Sequence, residues 1–331
     1  MTVSGIMRRV LYALVPAIVA SIYQFGWGLL WNLLLATVTA LTAEAVFLKI
    51  RQRPVIETLF DFSAVVTAVL LAFALPPYAP WWLVCLASLI AIVVAKQIYG
   101  GLGQNPFNPA MVAYAMMLIS FPLAMSRWPK PLLLQSVKLN LSQSYHLVFD
   151  ANPSNLPLDF VSTASPLETW RVQRGVTGDL TSLFHQPLFG HFGYAGGEWV
   201  AIAIALGGLW LLWQRIITWH IPFSLIVMVI VTAGGFYLFD PAKQFFPLSH
   251  LFLGATALGA FFIATDPVTA PASPRAQLVY GGSIGALIVL IRVWGGFPDG
   301  VAFSVLIMNM FAPLLDKLLR PRVFGTGKAS L

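Results

Sequence analysis

Charge is scarce in this chain. Of 331 residues only 9% are Asp, Glu, Lys or Arg, against 58% hydrophobic, and the mean hydropathy is +0.81. A soluble domain carries about 25% charged residues, so the composition indicates an integral membrane protein. Cysteine is nearly absent, with Cys85 alone in an apolar run. One cysteine allows no intrachain disulfide and no four-cysteine iron–sulfur site built by this chain alone. The five histidines, His146, His185, His191, His220 and His250, form no i, i+4 pair on a helix face, which argues against a haem or zinc site. Acid is the scarcer sign, 12 Asp and Glu against 19 Lys and Arg. No basic run with interleaved aromatics lies outside the apolar spans, so no nucleic-acid partner is expected. The excess of +7 fits loop charges that orient the chain and meet anionic lipid. No small-residue cleavage pattern follows the first apolar stretch, so no cleavable signal peptide is expected.

Apolar runs are abundant. About 20 apolar residues cross a bilayer as a helix, which predicts about ten helices near 10–25, 28–48, 58–75, 80–98, 107–124, 198–214, 220–238, 249–264, 277–292 and 301–318. Residues 125–197 hold Asn, Ser, Pro, Asp and Arg without a long apolar run and are expected to form one extramembrane insert. With the N-terminus inside, the inner segments carry 12 positive residues, Lys96 among them, and the short outer loops two, Lys243 and Arg292. That bias puts both termini in the cytoplasm and 125–197 on the outer side. Trp27, Trp81, Trp82, Trp128, Trp199 and Trp294 fall near span ends, as interfacial tryptophans do.

The stretch from Tyr99 to Leu123 organises the chain. Tyr99-Gly-Gly-Leu-Gly-Gln-Asn-Pro-Phe-Asn-Pro-Ala-Met111 packs glycines, asparagines and prolines between two apolar spans. In hydrocarbon, irregular backbone survives only where it is buried in protein or lines a cavity. Two readings stand: a broken helix whose N-terminal amides face a ligand or ion, or a short turn at the cytoplasmic surface. The chain also reads as duplicated. Leu75-Pro76-Pro77 follows the third span and Tyr99-Gly-Gly-Leu the fourth; Thr265-Asp266-Pro267 and Trp294-Gly-Gly-Phe-Pro-Asp-Gly300 hold the same places in the second half. Five spans per half is odd, so the halves are inverted, with paired breaks flanking a central pathway. The expected architecture is therefore all-α: a first membrane repeat (1–124), an outer insert (125–197), a second repeat (198–320) and a cytoplasmic tail (321–331).

Intramembrane carboxylates default to function. Glu44, late in the second span, either snorkels beside Lys49 or faces a cation path. Asp61 is placed early in the third span, and Asp266 sits in a Thr-Asp-Pro corner where capping explains it equally. His250 and Asn309 read as satisfied polar groups between helices. In the insert, Asp159-Phe-Val-Ser-Thr-Ala-Ser-Pro-Leu-Glu168 reads as a turn and helix start, with Ser165 and Glu168 as a capping box and Pro166 at the first helical position.

The 99–111 stretch, with Leu118-Ile-Ser-Phe-Pro122, resembles the D subunit of the Rnf (or Rsx) electron-transport complex. So do Gly259-Ala-Phe-Phe-Ile-Ala-Thr-Asp-Pro-Val-Thr269, Gly295-Gly-Phe-Pro-Asp-Gly-Val-Ala-Phe303 and Arg320-Pro-Arg-Val-Phe-Gly325. The B subunit of the sodium-pumping NADH:quinone reductase is a more distant likeness. The resemblance implies a ten-helix inverted repeat in the bacterial inner membrane, within an ion-translocating oxidoreductase that moves Na+ or H+ and includes A, B, C, E and G subunits. It also implies FMN joined as a phosphoester by a flavin transferase at Asp-x-x-Ser/Thr-x-Ala-Thr. Asp159, Ser162, Ala164 and Ser165 fill that pattern, with Ser165 where threonine is usual and Thr163 as a weaker alternative. A second, non-covalent flavin such as riboflavin is allowed by resemblance only. The ion pathway would then include Gly100, Gly101, Asn105, Asn108, Gly295, Gly296, Asp266 and Glu44. Gly254-Ala255-Thr256 mimics the end of the flavin motif but reads as small-residue helix packing. A redox-inactive channel for a small solute, or a scaffold for flavin-bearing partners, are the rival classes.

Overall fold

The first helix opens on a polar cap and closes on a glycine. Thr2 Oγ1 accepts from Gly5 N at 3.2 Å, and Gly26, at φ 88°, ends α1 (Val3–Phe25). The structure, a computed structural model, describes residues 2–131, 134–135, 139–150, 162–176, 180–297 and 299–319. Among these, the first half continues with α2 (Gly28–Ile50), α3 (Val55–Leu59), α4 (Ser63–Ala74), α5 (Trp81–Leu89, extended by a π-helical segment Ile90–Gln97), α6 (Pro109–Ser120) and α7 (Pro122–Met125). The insert adds α8 (Leu141–Phe149), α9 (Pro166–Val176) and α10 (Thr181–Phe184). The second half follows as α11 (Gly197–Trp213), α12 (His220–Phe239), α13 (Ser249–Phe252), α14 (Thr256–Leu258, extended by a π-helical segment Gly259–Ile263), α15 (Pro274–Trp294) and α16 (Val301–Leu318). The strands among the described residues are two-residue pieces, β1 (Trp128–Pro129) and β2 (Ser162–Thr163). They pair antiparallel with Trp128 opposite Thr163 and Pro129 opposite Ser162.

This is an all-α membrane protein. α1, α2, α12, α15 and α16 are long and apolar enough to cross a bilayer, and α4, α5 with its extension, α6 and α11 are shorter apolar helices. The 23 residues of α1 span about 34 Å, while the 12 of α6 span only about 18 Å, well short of a ~30 Å hydrocarbon core. The halves repeat their packing. α2 lies on α5 as α12 lies on α15, and across the seam equivalent elements meet, α1 with α11 and α6 with α16.

Backbones approach closely through glycine. A Cβ at Gly285 would collide with the Leu225 carbonyl, one at Gly281 with Ser224 Oγ, and one at Gly207 with the Ala13 carbonyl. Small residues supply this close packing where lipid offers no hydrophobic drive between helices. Gly285→Val is expected to destabilise the detergent-solubilised chain by about 3 kcal/mol through overpacking. Gly235→Ala, with open space at its Cβ position, should leave the melting temperature unchanged or slightly raised. Equal melting of both variants would contradict this packing.

Two expected spans are broken. The 58–75 run divides into α3 and α4 at Phe62, which takes a left-handed φ of 65°. Asp61 is therefore not inside a span. Its Oδ1 caps α4, accepting from Ser63 N at 2.6 Å and Ser63 Oγ at 2.5 Å. The 249–264 run divides into α13 and α14 around Gly254, at φ +60°. The helix-packing reading of Gly254-Ala255-Thr256 fails here, because the helix is interrupted at that point. These two breaks occupy equivalent third-span positions.

Candidate functional site

Two cavities open on the seam between the halves, at opposite ends of the bundle. One, of about 400 Å³, is lined by Leu75 and Pro77, by Gly254 and Ala255, by Gly296 and Asp299, and by the insert. The other, of about 150 Å³, is lined by Lys96, Asn105 and Asn108 and by Thr265, Asp266 and Pro267. Asn105 and Asn108 of the first break and Gly296 of the second, like the two proline corners, thus fall at opposite ends, as an inverted duplication requires. α6 joins the cavities, giving Asn108, Pro109 and Ala110 to the smaller and Met111, Tyr114 and Leu118 to the larger. About 9 Å of helix separates Asn108 from Tyr114.

The 99–108 segment has features of both readings, with Tyr99, Gly103, Gln104 and Pro106 exposed as in a surface turn and its asparagines turned inward. Gly100, Gly101 and Gly103 adopt positive φ, while Asn105 and Asn108 are buried. Asn108 Oδ1 caps α6 by accepting from Met111 N at 3.2 Å, with Pro109 at the first helical position. The Asn309 amide ties this break to the other half, reaching the Tyr280 hydroxyl at 2.6 Å and the Asn108 backbone N–H at 3.0 Å. Gly100 contributes a carbonyl to Arg53 Nη1 at 2.7 Å. Gly100, Gly101 and Gly295 line neither cavity, whereas Gly296 lines the larger.

The insert presents Ser165 to the larger cavity. α9 begins at Pro166, and Ser165 Oγ accepts from Glu168 N at 3.2 Å. The capping box is only half made, because Glu168 turns to Arg171 instead, Oε1 to Nη2 at 2.7 Å. Arg171 Nη1 donates to the Gly296 carbonyl at 2.5 Å, and its Nε is buried without a partner. Ser165, Glu168 and Arg171 all line the cavity. α9 is docked by Trp170, whose Nε1 donates to the Lys243 carbonyl at 2.9 Å. Thr163 is held in the β1–β2 pair and is not on the cavity wall; Ser162 contributes its backbone to that pair, and Asp159 lies outside the described residues.

Each half carries one buried cation near the end of its fourth span, and each reaches the break in its own third span. Neither Lys96 nor Arg292 is the loop charge that the sequence suggested. Lys96 is 2% exposed, with Nζ 2.6 Å from Glu44 Oε1 and 2.7 Å from Ser63 Oγ. Glu44, 0% exposed, does not snorkel. Arg292, 1% exposed, donates to the carbonyls of His250 (3.0 Å) and Leu253 (2.9 Å), to Thr256 Oγ1 (2.8 Å) and to Asp299 Oδ1 (2.9 Å). Asp299 Oδ2 in turn accepts from Ala255 N at 2.8 Å. The sequence signal for both was a single cation inside an apolar run. Asp266 faces the smaller cavity and also caps its own turn, accepting from Val268 N at 3.2 Å. His250 differs from expectation: it is buried against Trp170 and Phe245, with Nδ1 unpartnered.

A family model described as the NQR2, RnfD, RnfE family matches residues 1–325. The chain belongs to that family. It is 46% identical over 334 residues to the D subunit of the ion-translocating oxidoreductase complex of Shigella dysenteriae serotype 1 (strain Sd197), covering 98% of this chain and 95% of the relative. The D subunit of the same complex in Escherichia coli (strain SE11) is likewise 46% identical over 337 residues, with 98% and 95% covered. The name these relatives share makes each a component of a larger complex. The family and the apolar helices together make this chain a multi-pass membrane protein.

Proposed function

We propose that this chain is the D-type membrane subunit of an ion-translocating oxidoreductase and holds FMN as a phosphoester on Ser165. The observation that carries the proposal is the position of Ser165: a hydroxyl at the N-terminus of α9, on the wall of a 400 Å³ cavity between the two repeats. The residues present suit the group. A helix N-terminus and the Arg171 guanidinium favour a phosphate, and the apolar cavity wall suits a flat ring. Bound FMN supplies one- and two-electron transfer; the chain supplies orientation and field. In this reading 125–197 is periplasmic, both termini are cytoplasmic, and the membrane is the bacterial inner membrane. The A, B, C, E and G subunits are the partners, and a flavin transferase matures the chain. The smaller cavity, with Asn105, Asn108 and Asp266, would serve the Na+ or H+ path or a non-covalent riboflavin. Coupling requires the redox state to bias the two ends differently, because a ligand shifts an equilibrium only by its differential affinity.

Co-expression with a flavin transferase followed by a denaturing gel tests the proposal. Flavin fluorescence should migrate with the band only when the transferase is present. A dark band, with the transferase active on another substrate, would instead favour a scaffold for flavin-bearing partners; a dark band with solute flux in liposomes would favour a channel.

A further inference from the structure

The larger cavity is also lined by Tyr194, which the attachment at Ser165 does not use. Tyr194 is 9% exposed, and its hydroxyl is buried without a partner. The side chain is held in place from several directions. Gly193 and Gly196 turn the chain at φ 113° and 75°, and the Tyr194 carbonyl accepts from Glu198 N at 3.1 Å as α11 begins. The ring lies against Gly197, where a Cβ would collide with it, and its centroid is 5.6 Å from that of Phe25 on α1. Phenylalanine would fill this place equally well. A buried hydroxyl without a partner costs about 1–3 kcal/mol, so packing gives no reason for it and an occupant of the cavity does. Burial pushes the Tyr194 pKa up, so the phenol keeps its proton and can donate. Arg171 Nε, on the same cavity, is likewise a buried donor without a partner. The occupant that suits both carries acceptor atoms, which a lipid chain does not. A flavin does, with two carbonyl oxygens on the polar edge of its ring and a phosphate on its tail.

We propose that Tyr194 holds the flavin ring, its hydroxyl donating to a carbonyl oxygen on the polar edge, while Arg171 serves the phosphate. This rests on the flavin reading and adds to it the group that fixes the ring. Tyr194 also tunes the flavin. Reduction puts more electron density on that edge, and a hydrogen bond to a more negative acceptor is stronger. The phenol therefore favours the reduced form, which is one of the ways a protein sets the electronics of its cofactor.

Tyr194→Phe in the full chain, purified in detergent with and without transferase co-expression, tests this. Without flavin the variant should melt at or slightly above the wild type, because only an unmatched hydroxyl is lost. With flavin attached the order should reverse, because the wild type alone gains the hydrogen bond. Fluorescence on the denatured band should be equal in the two, since Ser165 is untouched, whereas the midpoint potential of the native flavin should fall in the variant. Lumiflavin, which brings the ring without the phosphate, should bind the bare wild type about fivefold more tightly than bare Tyr194→Phe, the worth of one hydrogen bond. A fluorescent band with Tyr194→Phe matching the wild type in melting and potential would overturn the ring contact and leave the ester standing. A dark band with lumiflavin still weakened by Tyr194→Phe would overturn the ester and support the ring contact. Equal lumiflavin affinity together with a dark band would remove both.

Discussion

Ser165→Ala should abolish flavin fluorescence on the denatured band, with no detectable residue. A phosphoester needs the hydroxyl oxygen, and alanine has none. The loss should be chemical rather than a result of misfolding. Ser165 Oγ makes one cap contact to Glu168 N, and replacing a capping serine by alanine costs about 1 kcal/mol. α9 keeps its other anchor through Trp170 and the Lys243 carbonyl, so the chain should accumulate at near wild-type level. Ser165→Thr restores the hydroxyl and should restore the fluorescence. Thr163→Ala should keep it, because Thr163 is held in the β1–β2 pair away from the cavity wall. A fluorescent Ser165→Ala band that turns dark only with Thr163→Ala would move the attachment to Thr163.

Arg292→Leu should be the most destabilising single substitution at the seam, by about 3–5 kcal/mol, the cost of removing one partner of a buried ion pair. The guanidinium satisfies the carbonyls of His250 and Leu253 where the helix is interrupted, and it neutralises Asp299. Leucine would leave the two carbonyls to share the Thr256 hydroxyl, and would leave Asp299 without its countercharge, with the backbone N–H of Ala255 as its closest donor. The melting temperature in detergent is the readout. Asp299→Asn keeps an acceptor for Ala255 N while removing the charge. The double variant should therefore lose less than the sum of the two single changes, as coupled neighbours do. Strict additivity would mean that the charge pair carries little of the effect. Because Gly254, Ala255 and Asp299 also line the larger cavity, Arg292→Leu should lower flavin incorporation in the fraction that folds.

Much of the fold was legible because membrane spans follow from apolar run length. The expected 220–238 and 301–318 correspond to α12 (His220–Phe239) and α16 (Val301–Leu318). The break before α6 was legible for the same kind of reason: glycine, asparagine and proline at that density do not continue a helix, and Asn108 with Pro109 spells a cap. The break at Phe62 was not legible. Phe60-Asp-Phe62 contains neither glycine nor proline, and the left-handed turn is held by contacts from elsewhere, including Lys96 on Ser63. Gly254 offered a signal, but one glycine in an apolar run is more often packing than interruption; what decides it is Arg292, near the end of α15 and bonded to the Leu253 carbonyl. Pairing across such distances, Glu44 with Lys96 as much as Arg292 with the break, is tertiary, and run length carries no trace of it. Of the flavin motif, the cap and helix start at Ser165 and Pro166 were readable locally, whereas the cavity that faces Ser165 is assembled from both repeats and the insert.

The mass of the intact chain, purified after co-expression with a flavin transferase, tests the central claim most directly. The wild-type mass should be raised by one FMN less the water lost on ester formation, and the Ser165→Ala mass should equal that of the bare polypeptide. A wild-type chain at its bare polypeptide mass, from cells in which the same transferase modifies another protein, would contradict it.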